Sequence, residues 1–138
     1  MRYLLDTNIC MYLTRQHPPS VRRRFAEIRK GDAAMSSLTY AELYIGVELD
    51  VTGRNNNGSQ LAALRQVISS VDFDDDAARV YAQLTAALPA PERRRNVIDR
   101  MIAAHAISLD VTLVTNNESD FVAYAEAGGL RVENWVAG

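Results

Sequence analysis

Short apolar runs alternate with longer amphipathic stretches along the whole chain, and this alternation is what most narrows its possible folds. The runs are Tyr3-Leu4-Leu5, then residues 33–35, 71–73, 112–115 and 130–132. Each has the length and character of a buried strand. Between them lie stretches with apolar residues at helical spacing: 8–15, 21–30, a helix opened by Thr39, 61–68, 77–88, 96–109 and 117–127. Ser20 is placed to cap the second of these and Gly31 to stop it, and Pro89-Ala90-Pro91 and Gly128-Gly129 end two later ones. Strands that alternate with helices pair in parallel, because each helix carries the chain back to start the next strand. The expected fold class is α/β, with a central parallel sheet and helices on both faces. The right-handed crossover rule brings the carboxyl ends of the strands to one edge.

The length of 138 residues fits one domain spanning 1–138. Hydrophobic residues at 48% and charged residues at 23% exclude intrinsic disorder. Cys10 is the only cysteine, which excludes an internal disulfide and a thiolate metal cluster. The apolar start is cut off by Asp6, so no signal peptide or membrane span is expected and the protein reads as soluble and cytoplasmic. A net charge of −2 gives no global basic field, so attraction to a nucleic acid has to come from local patches. Two candidates are Arg22-Arg23-Arg24 with Arg29-Lys30, and Arg93-Arg94-Arg95 with Arg100. The competing reading of each is a solvated helix face.

Ligands of open parallel sheets bind beyond the carboxyl ends of the strands. Asp6 ends the first strand, Glu42 lies in the first turn of the helix after the second, and Asn117 and Asp120 follow Val114. Asp99 begins the long helix before that strand, and it joins the others if the helix N-terminus faces the same edge. Each acid also has a local explanation. Thr39 and Glu42 match the capping box, Asn96–Asp99 and Asn117–Asp120 repeat its spacing, and Asp6 can cap the helix that follows it. Convergence of the acids would outweigh these readings. Two carboxylates about 4 Å apart repel by about 4 kcal/mol at an effective dielectric of 20, so a cluster needs protons or a cation. All-oxygen donors suit a hard divalent ion such as Mg2+, with Mn2+ as a second candidate. The chemistry expected of such a site is phosphoryl transfer by a metal-activated water, with no histidine base. His17 and His105 read as structural or solvent-facing.

The motifs in order resemble those of PIN domains. Leu4-Leu5-Asp6-Thr7-Asn8 resembles the opening motif, and Ser36-Ser37-Leu38-Thr39-Tyr40-Ala41-Glu42-Leu43 with Gly46 the second. Asp99-Arg100-Met101-Ile102-Ala103-Ala104-His105-Ala106 resembles the third, and Val114-Thr115-Asn116-Asn117-Glu118-Ser119-Asp120-Phe121 the fourth. Val132-Glu133-Asn134-Trp135 is similar to the usual ending. The resemblance runs nearly end to end and is closest to VapC-type toxins of bacterial toxin–antitoxin pairs. It implies a three-layer α/β/α sandwich and a magnesium- or manganese-dependent endoribonuclease. It also implies a cognate antitoxin, and a homodimer able to enter a larger toxin–antitoxin assembly. By motif match Asp6 and Asp99 are direct metal ligands, Glu42 completes the triad as ligand or through water, and Thr7 and Asn8 support Asp6. Thr115 orients a water or a phosphate. Arg93, Arg94, Arg95 and Arg100 are candidates for RNA contact.

The chain departs from the family at Asn117, where many PIN domains carry an Asp. An amide adds no negative charge. Asp120 is near enough to substitute, and at most one tightly held ion is expected before substrate arrives. Other phosphoryl-transfer folds lack their markers here. A haloacid-dehalogenase-like site needs an acid where Asn8 stands, and it and a receiver domain each need a later lysine, whereas Lys30 is the only one. No Gly-rich run leads into a P-loop Lys. The alternatives kept open are a catalytically silent RNA- or protein-binding module and a PIN nuclease outside a toxin–antitoxin pair. Tyr12, Tyr40 and Tyr44 are weighed as an apolar docking groove against core packing, and Arg54-Asn55-Asn56-Asn57 as a contact loop against a plain flexible one.

Overall fold

In the computed structural model, which describes residues 1–137, Tyr3–Leu5 forms strand β1 and all three residues are buried. Two helices follow, α1 (Thr7–Arg15) and α2 (Pro19–Glu27), and lead into β2 (Ala33–Ser36). Helices α3 (Ser37–Leu49) and α4 (Asn57–Val67) connect β2 to β3 (Ser69–Val71). The chain then passes through α5 (Asp75–Ala86), a 3-10 turn (Ala90–Glu92) and α6 (Val97–Leu109) to β4 (Thr112–Val114). A second 3-10 turn (Glu118–Phe121), α7 (Val122–Gly128) and β5 (Val132–Glu133) complete it. The strands form one sheet in the order β3-β2-β1-β4-β5, and every neighbouring pair is parallel.

Alternation along the strands divides the apolar side chains between two cores. Tyr3, Leu5, Ala33, Met35 and Val114 pack on one face with Ile9 and Cys10 of α1, Val21 of α2 and Leu64 of α4. Leu4 and Leu113 pack on the other with Leu84 of α5, Ile102 and Ala103 of α6 and Tyr124 of α7. The result is the expected three-layer α/β/α sandwich. Helix α3 straddles the edge, with Tyr40 and Leu43 against the first core and Leu38 against the second. Cys10 is fully buried, and its thiol lies 3.9 Å from the Leu5 carbonyl oxygen.

Several features differ from the pattern in the sequence. Helix α2 ends at Glu27, before the Gly31 turn (φ 92°) that feeds β2. Ser20 does not cap it: its hydroxyl donates to the Val136 carbonyl at 3.1 Å and ties down the tail. Strand β3 lies two residues earlier than the apolar run 71–73, because Ser69 and Ser70 pair with Ala34 and Met35. Their polar side chains suit an edge strand that is partly solvated. Thr39 does not open α3. Ser36 does, its hydroxyl accepting from the Leu38 N–H at 3.1 Å, while the Thr39 hydroxyl is buried without a partner among the described residues. The basic run near residue 22 also splits. Arg24 pairs with Glu27 and with Glu133 and lies 5.5 Å from the Trp135 ring, whereas Arg22 and Arg23 are exposed.

Trp135 closes the first core. It is fully buried, meets Tyr3 edge-on at 5.4 Å and donates its indole N–H to Glu133 at 3.2 Å. Truncating a buried aromatic of this size costs about 3–5 kcal/mol. Trp135→Ala is therefore expected to lower the free energy of unfolding by that amount, read as a lower urea midpoint with the m-value unchanged. A loss below about 1 kcal/mol would show that the tail does not seal the core.

Candidate functional site

The chain begins at the centre of the sheet, adds β2 and β3 on one side, and then crosses back to add β4 and β5 on the other. The reversal lies between β1 and β4, and crevices that take ligands open at such points. The register sets Leu5 opposite Val114, so the next residues, Asp6 and Thr115, flank that crevice. The Asp6 N–H donates to the Val114 carbonyl at 3.0 Å, and its Oδ1 accepts from the Ile9 N–H at 2.9 Å as the cap of α1. The capping role read from sequence is real, but it uses one carboxylate oxygen only.

The other acids arrive from two further elements. Helix α3 leaves the end of β2 and presents Glu42 one turn on. Helix α6 runs against the strands to return the chain to the start of β4, so its N-terminus and Asp99 stand at the same edge as Asp6. Electrostatics record the convergence. Burial raises the Asp6 carboxyl above its ordinary value of 3.8, the neighbouring Thr115 hydroxyl and Ile9 N–H pull it back down, and Asp99 and Glu42 push it up again. Burial likewise raises Asp99, reinforced by Asp120 and Glu42. Asp6 thus feels two other carboxylates, and Asp99 links Glu42 to Asp120. Among the described residues none of the four is in an ion pair with a basic side chain.

The supporting residues differ from those the motifs implied. The Thr7 hydroxyl donates to Glu42 Oε1 at 2.6 Å, so Thr7 holds Glu42 and not Asp6. Among the described residues this bond stands in place of the capping box: the Glu42 carboxylate accepts from α1. Thr115 is the side chain beside Asp6, and its hydroxyl accepts the Asn117 N–H at 3.0 Å. Asn8 is exposed in the first turn of α1, with no side-chain hydrogen bond among the described residues. Asn117 does not cap the turn after it; its amide donates to the Asp120 carboxylate and holds that acid beside Asp99. Asn96 makes no side-chain cap for α6, which leaves Asp99 free of the capping role.

Arg100 is a correction. It is fully buried, its guanidinium donating to Thr85 Oγ1 at 2.9 Å, the Arg95 carbonyl at 2.8 Å, the Tyr81 hydroxyl at 3.4 Å and the Arg93 carbonyl. It cannot touch RNA, whereas Arg93, Arg94 and Arg95 are exposed. His105 is structural, as read: burial lowers its pKa, and its Nδ1 shares a 2.9 Å hydrogen bond with Ser36 Oγ. No local pattern announced that bond, which joins the helix of Asp99 to the residue that starts the helix of Glu42. Tyr12 and Tyr40 pack against the first core, and only Tyr44 of the three tyrosines is exposed. The turn before α4 is tied back, with the Asn55 and Asn57 N–H groups donating to the Asp50 carboxylate and the Asn57 amide, at the first position of α4, to the Gly46 carbonyl. Beside it a cleft of about 530 Å³ runs between α1, α3 and α4, with Thr7 and Glu42 on its wall together with Arg15 and Gln60.

The donor set fits a hard divalent ion. The oxygens are anionic, mutually repelling and unneutralised, and the edge opens to solvent at Glu42 and Asp120. Among the described residues no three of these side chains stand together as a ready metal-holding group; magnesium, which keeps several waters, needs only one or two carboxylates.

A doubly wound sheet with acids gathered over its switch point is the architecture of PIN domains. The family described as PIN domain matches residues 3–127, and the chain belongs to it. Within that family the chain stands with the VapC ribonucleases. It is 36% identical over 138 residues to the tRNA(fMet)-specific endonuclease VapC of Shigella flexneri, covering 98% of each chain. It is similar to a chain of VapBC2 from Rickettsia felis, solved bound to a DNA fragment from their promoter. The TM-score there is 0.83, with 32% identity, 98% of this chain and 99% of that one. A chain of DNA-bound VapBC from Salmonella typhimurium matches with a TM-score of 0.82 and 29% identity, covering 98% of each.

The raised carboxyls carry a stability consequence with a definite sign. With folded pKa values above 3.8, the folded protein binds protons at Asp6 and Asp99 more tightly than the unfolded chain does. Stability is then lost as pH rises from the unfolded value through the raised ones, and the repulsion is fully present at neutral pH. Asp6→Asn removes one charge and keeps an oxygen for the Ile9 N–H. In EDTA its melting temperature at neutral pH is expected to exceed that of the wild type, with the gain fading as pH falls to about 4. A lower melting temperature at neutral pH would show that the Asp6 charge is compensated within the fold.

Proposed function

We propose that this chain, as one nuclease unit over 1–138, is a divalent-metal-dependent endoribonuclease and the toxin of a toxin–antitoxin pair. The observation that carries the reading is the Asp6 carboxylate at the switch point, its pKa raised by burial and further by Asp99 and Glu42, with no basic side chain paired to any of the three among the described residues. A helix cap needs one acid and no such cluster, and a pure binding module has no use for the repulsion.

In this reading Asp6 and Asp99 are the direct ligands of Mg2+, or of Mn2+, and Glu42 completes the triad directly or through water. When bound, the ion neutralises phosphate charge and lowers the pKa of the attacking water. Thr7 fixes the rotamer of Glu42. Thr115 favours the ionised form of Asp6 and stands where a water or phosphate oxygen needs a hydroxyl partner. Asn117 holds Asp120 as a fourth, outer acid beside Asp99 and adds no charge of its own, so the residues would hold one ion tightly before substrate arrives. Arg93, Arg94 and Arg95 precede Asp99 at the same edge and contact RNA phosphates.

The solved relatives, which are VapBC complexes, support an antitoxin partner. An antitoxin segment lying in the cleft between α1, α3 and α4 would cover Glu42 and block the site. A second copy of the chain fits the outer face of α3, where Tyr44, Ile45 and Leu49 are exposed and Val51 follows. The place of action is the cytoplasm, where RNA is available; no helix of the described residues is long and apolar enough to cross a membrane.

The test is incubation of antitoxin-free protein with total RNA and with transfer RNA, the substrate class in the Shigella relative's name. Discrete fragments are expected with Mg2+ or Mn2+ and not with EDTA, and Asp6→Asn should reduce them to background. Thr7→Val, which frees Glu42, should lower activity at limiting metal by about 10–100-fold. Folded, metal-replete protein that cuts no RNA would turn the assignment to a binding module.

A further inference from the structure

A cluster of acids presents a difficulty to an RNA nuclease, because the substrate is a polyanion and the chain has no net positive charge to attract it. A run of cations precedes Asp99 closely in the chain, the segment from Arg93 to Arg95 between the 3-10 turn and α6. An exposed surface loop of three like charges is ordinarily free to spread. This one is held from inside. Arg100 sits in the first turn of α6, fully buried, and reaches back to the carbonyls of both Arg93 and Arg95. Its remaining bonds go to Thr85 and Tyr81 of α5, which anchor the guanidinium in the second core. The Tyr81 ring also lies 5.3 Å from it.

Burying an arginine is costly unless its donors are satisfied. Here they are satisfied by neutral acceptors, with no carboxylate partner among the described residues. Two of those acceptors belong to the loop, so the charge and the loop conformation depend on each other. Arg93 is tied back as well, its Nε donating to the Leu88 carbonyl at 3.1 Å. Arg94 and Arg95 are left exposed, with no side-chain hydrogen bond among the described residues.

We propose that Arg100 is a positioning residue: from within the core it clamps the 93–95 backbone so that Arg94 and Arg95 form a fixed phosphate contact beside the carboxylate site. This rests on the ribonuclease reading above. A preformed contact binds more tightly because less of the loop has to be ordered on binding.

The experiment is steady-state cleavage of a labelled single-stranded oligoribonucleotide in Mg2+ over a series of salt concentrations, with melting temperatures recorded in parallel. In the wild type, kcat/KM should fall linearly with salt on logarithmic axes. Removing both arginines (Arg94→Ala with Arg95→Ala) should reduce that slope by about 1.4, at about 0.7 for each single-strand phosphate contact. Thr85→Val and Arg100→Gln, which keep Arg94 and Arg95, should also raise KM several-fold and flatten the slope, with Arg100→Lys falling between them and the wild type. Thr85→Val leaves the guanidinium in place, so it remains informative if Arg100→Gln does not fold. Variants that only melt earlier, with wild-type KM and salt slope, would overturn the clamp, and so would a wild-type slope in the Arg94, Arg95 double variant. If the wild type cuts no RNA, the nuclease reading falls and the clamp's function with it; if it cuts normally and Thr85→Val changes nothing but stability, only the clamp falls.

Discussion

Three residues of β1 set the position of everything else. Tyr3, Leu4 and Leu5 are paired to a strand on each side and buried on each face, with Leu4 in one core and its two neighbours in the other. Complete burial of a leucine contributes about 1.5–3 kcal/mol, and a one-residue slip would exchange the two cores. The register is therefore strongly determined, and so is the residue that ends the strand. Asp6 is held by a backbone bond to β4 and by its own cap of α1. A carboxylate fixed by the sheet cannot swing away from its neighbours, and Glu42 and Asp99 must be accommodated near it.

The protein removes charge from water in two places and compensates it in two ways. At Arg100 the neighbours are carbonyl and hydroxyl oxygens, which satisfy the guanidinium within the fold. At Asp6 the compensation is partial: one hydroxyl and one N–H oppose the burial and the two like charges. The first arrangement is complete in the folded chain. The second is incomplete by design of its surroundings, a form of local destabilisation commonly found where a site must bind something. The hydrogen bond between His105 and Ser36 ties α6, which carries Asp99, to the residue that caps α3, which carries Glu42.

The parts of this arrangement that depend on periodicity were legible in the sequence, and the parts that depend on which way a side chain turns were not. The runs at 3–5, 33–35 and 112–115 became strands because apolar character and burial coincide there. Strand β3 was misplaced by two residues because Ser69 and Ser70 pair through their backbones, which leaves no apolar mark. The motif order groups Asp6, Glu42 and Asp99, whose carboxyls influence one another in the fold, yet the Thr7–Glu42 bond joins residues far apart in the chain and has no local signature. Arg100 was grouped with its arginine neighbours because they are close in sequence. On a helix, consecutive residues point about 100° apart, and that rotation separates a half-buried Asp99 from an Arg100 wholly inside. The cap of α3 was misassigned for a related reason: Ser36, Ser37 and Thr39 all have the chemistry of a cap, and only the end of β2 decides among them.

The single cysteine has a practical consequence. Cys10 lies fully buried on α1, four residues after Asp6, and burial drives its thiol far from ionisation, with the nearby Asp6 charge adding to the effect. A thiol reagent reacts with the thiolate, so the folded chain is closed to it. Modification must wait for α1 to leave the sheet, which would also dismantle the Asp6 cap. The rate at which a maleimide or disulfide reagent consumes this one sulfur therefore measures the opening of the segment that carries the site, in native buffer and with no added label.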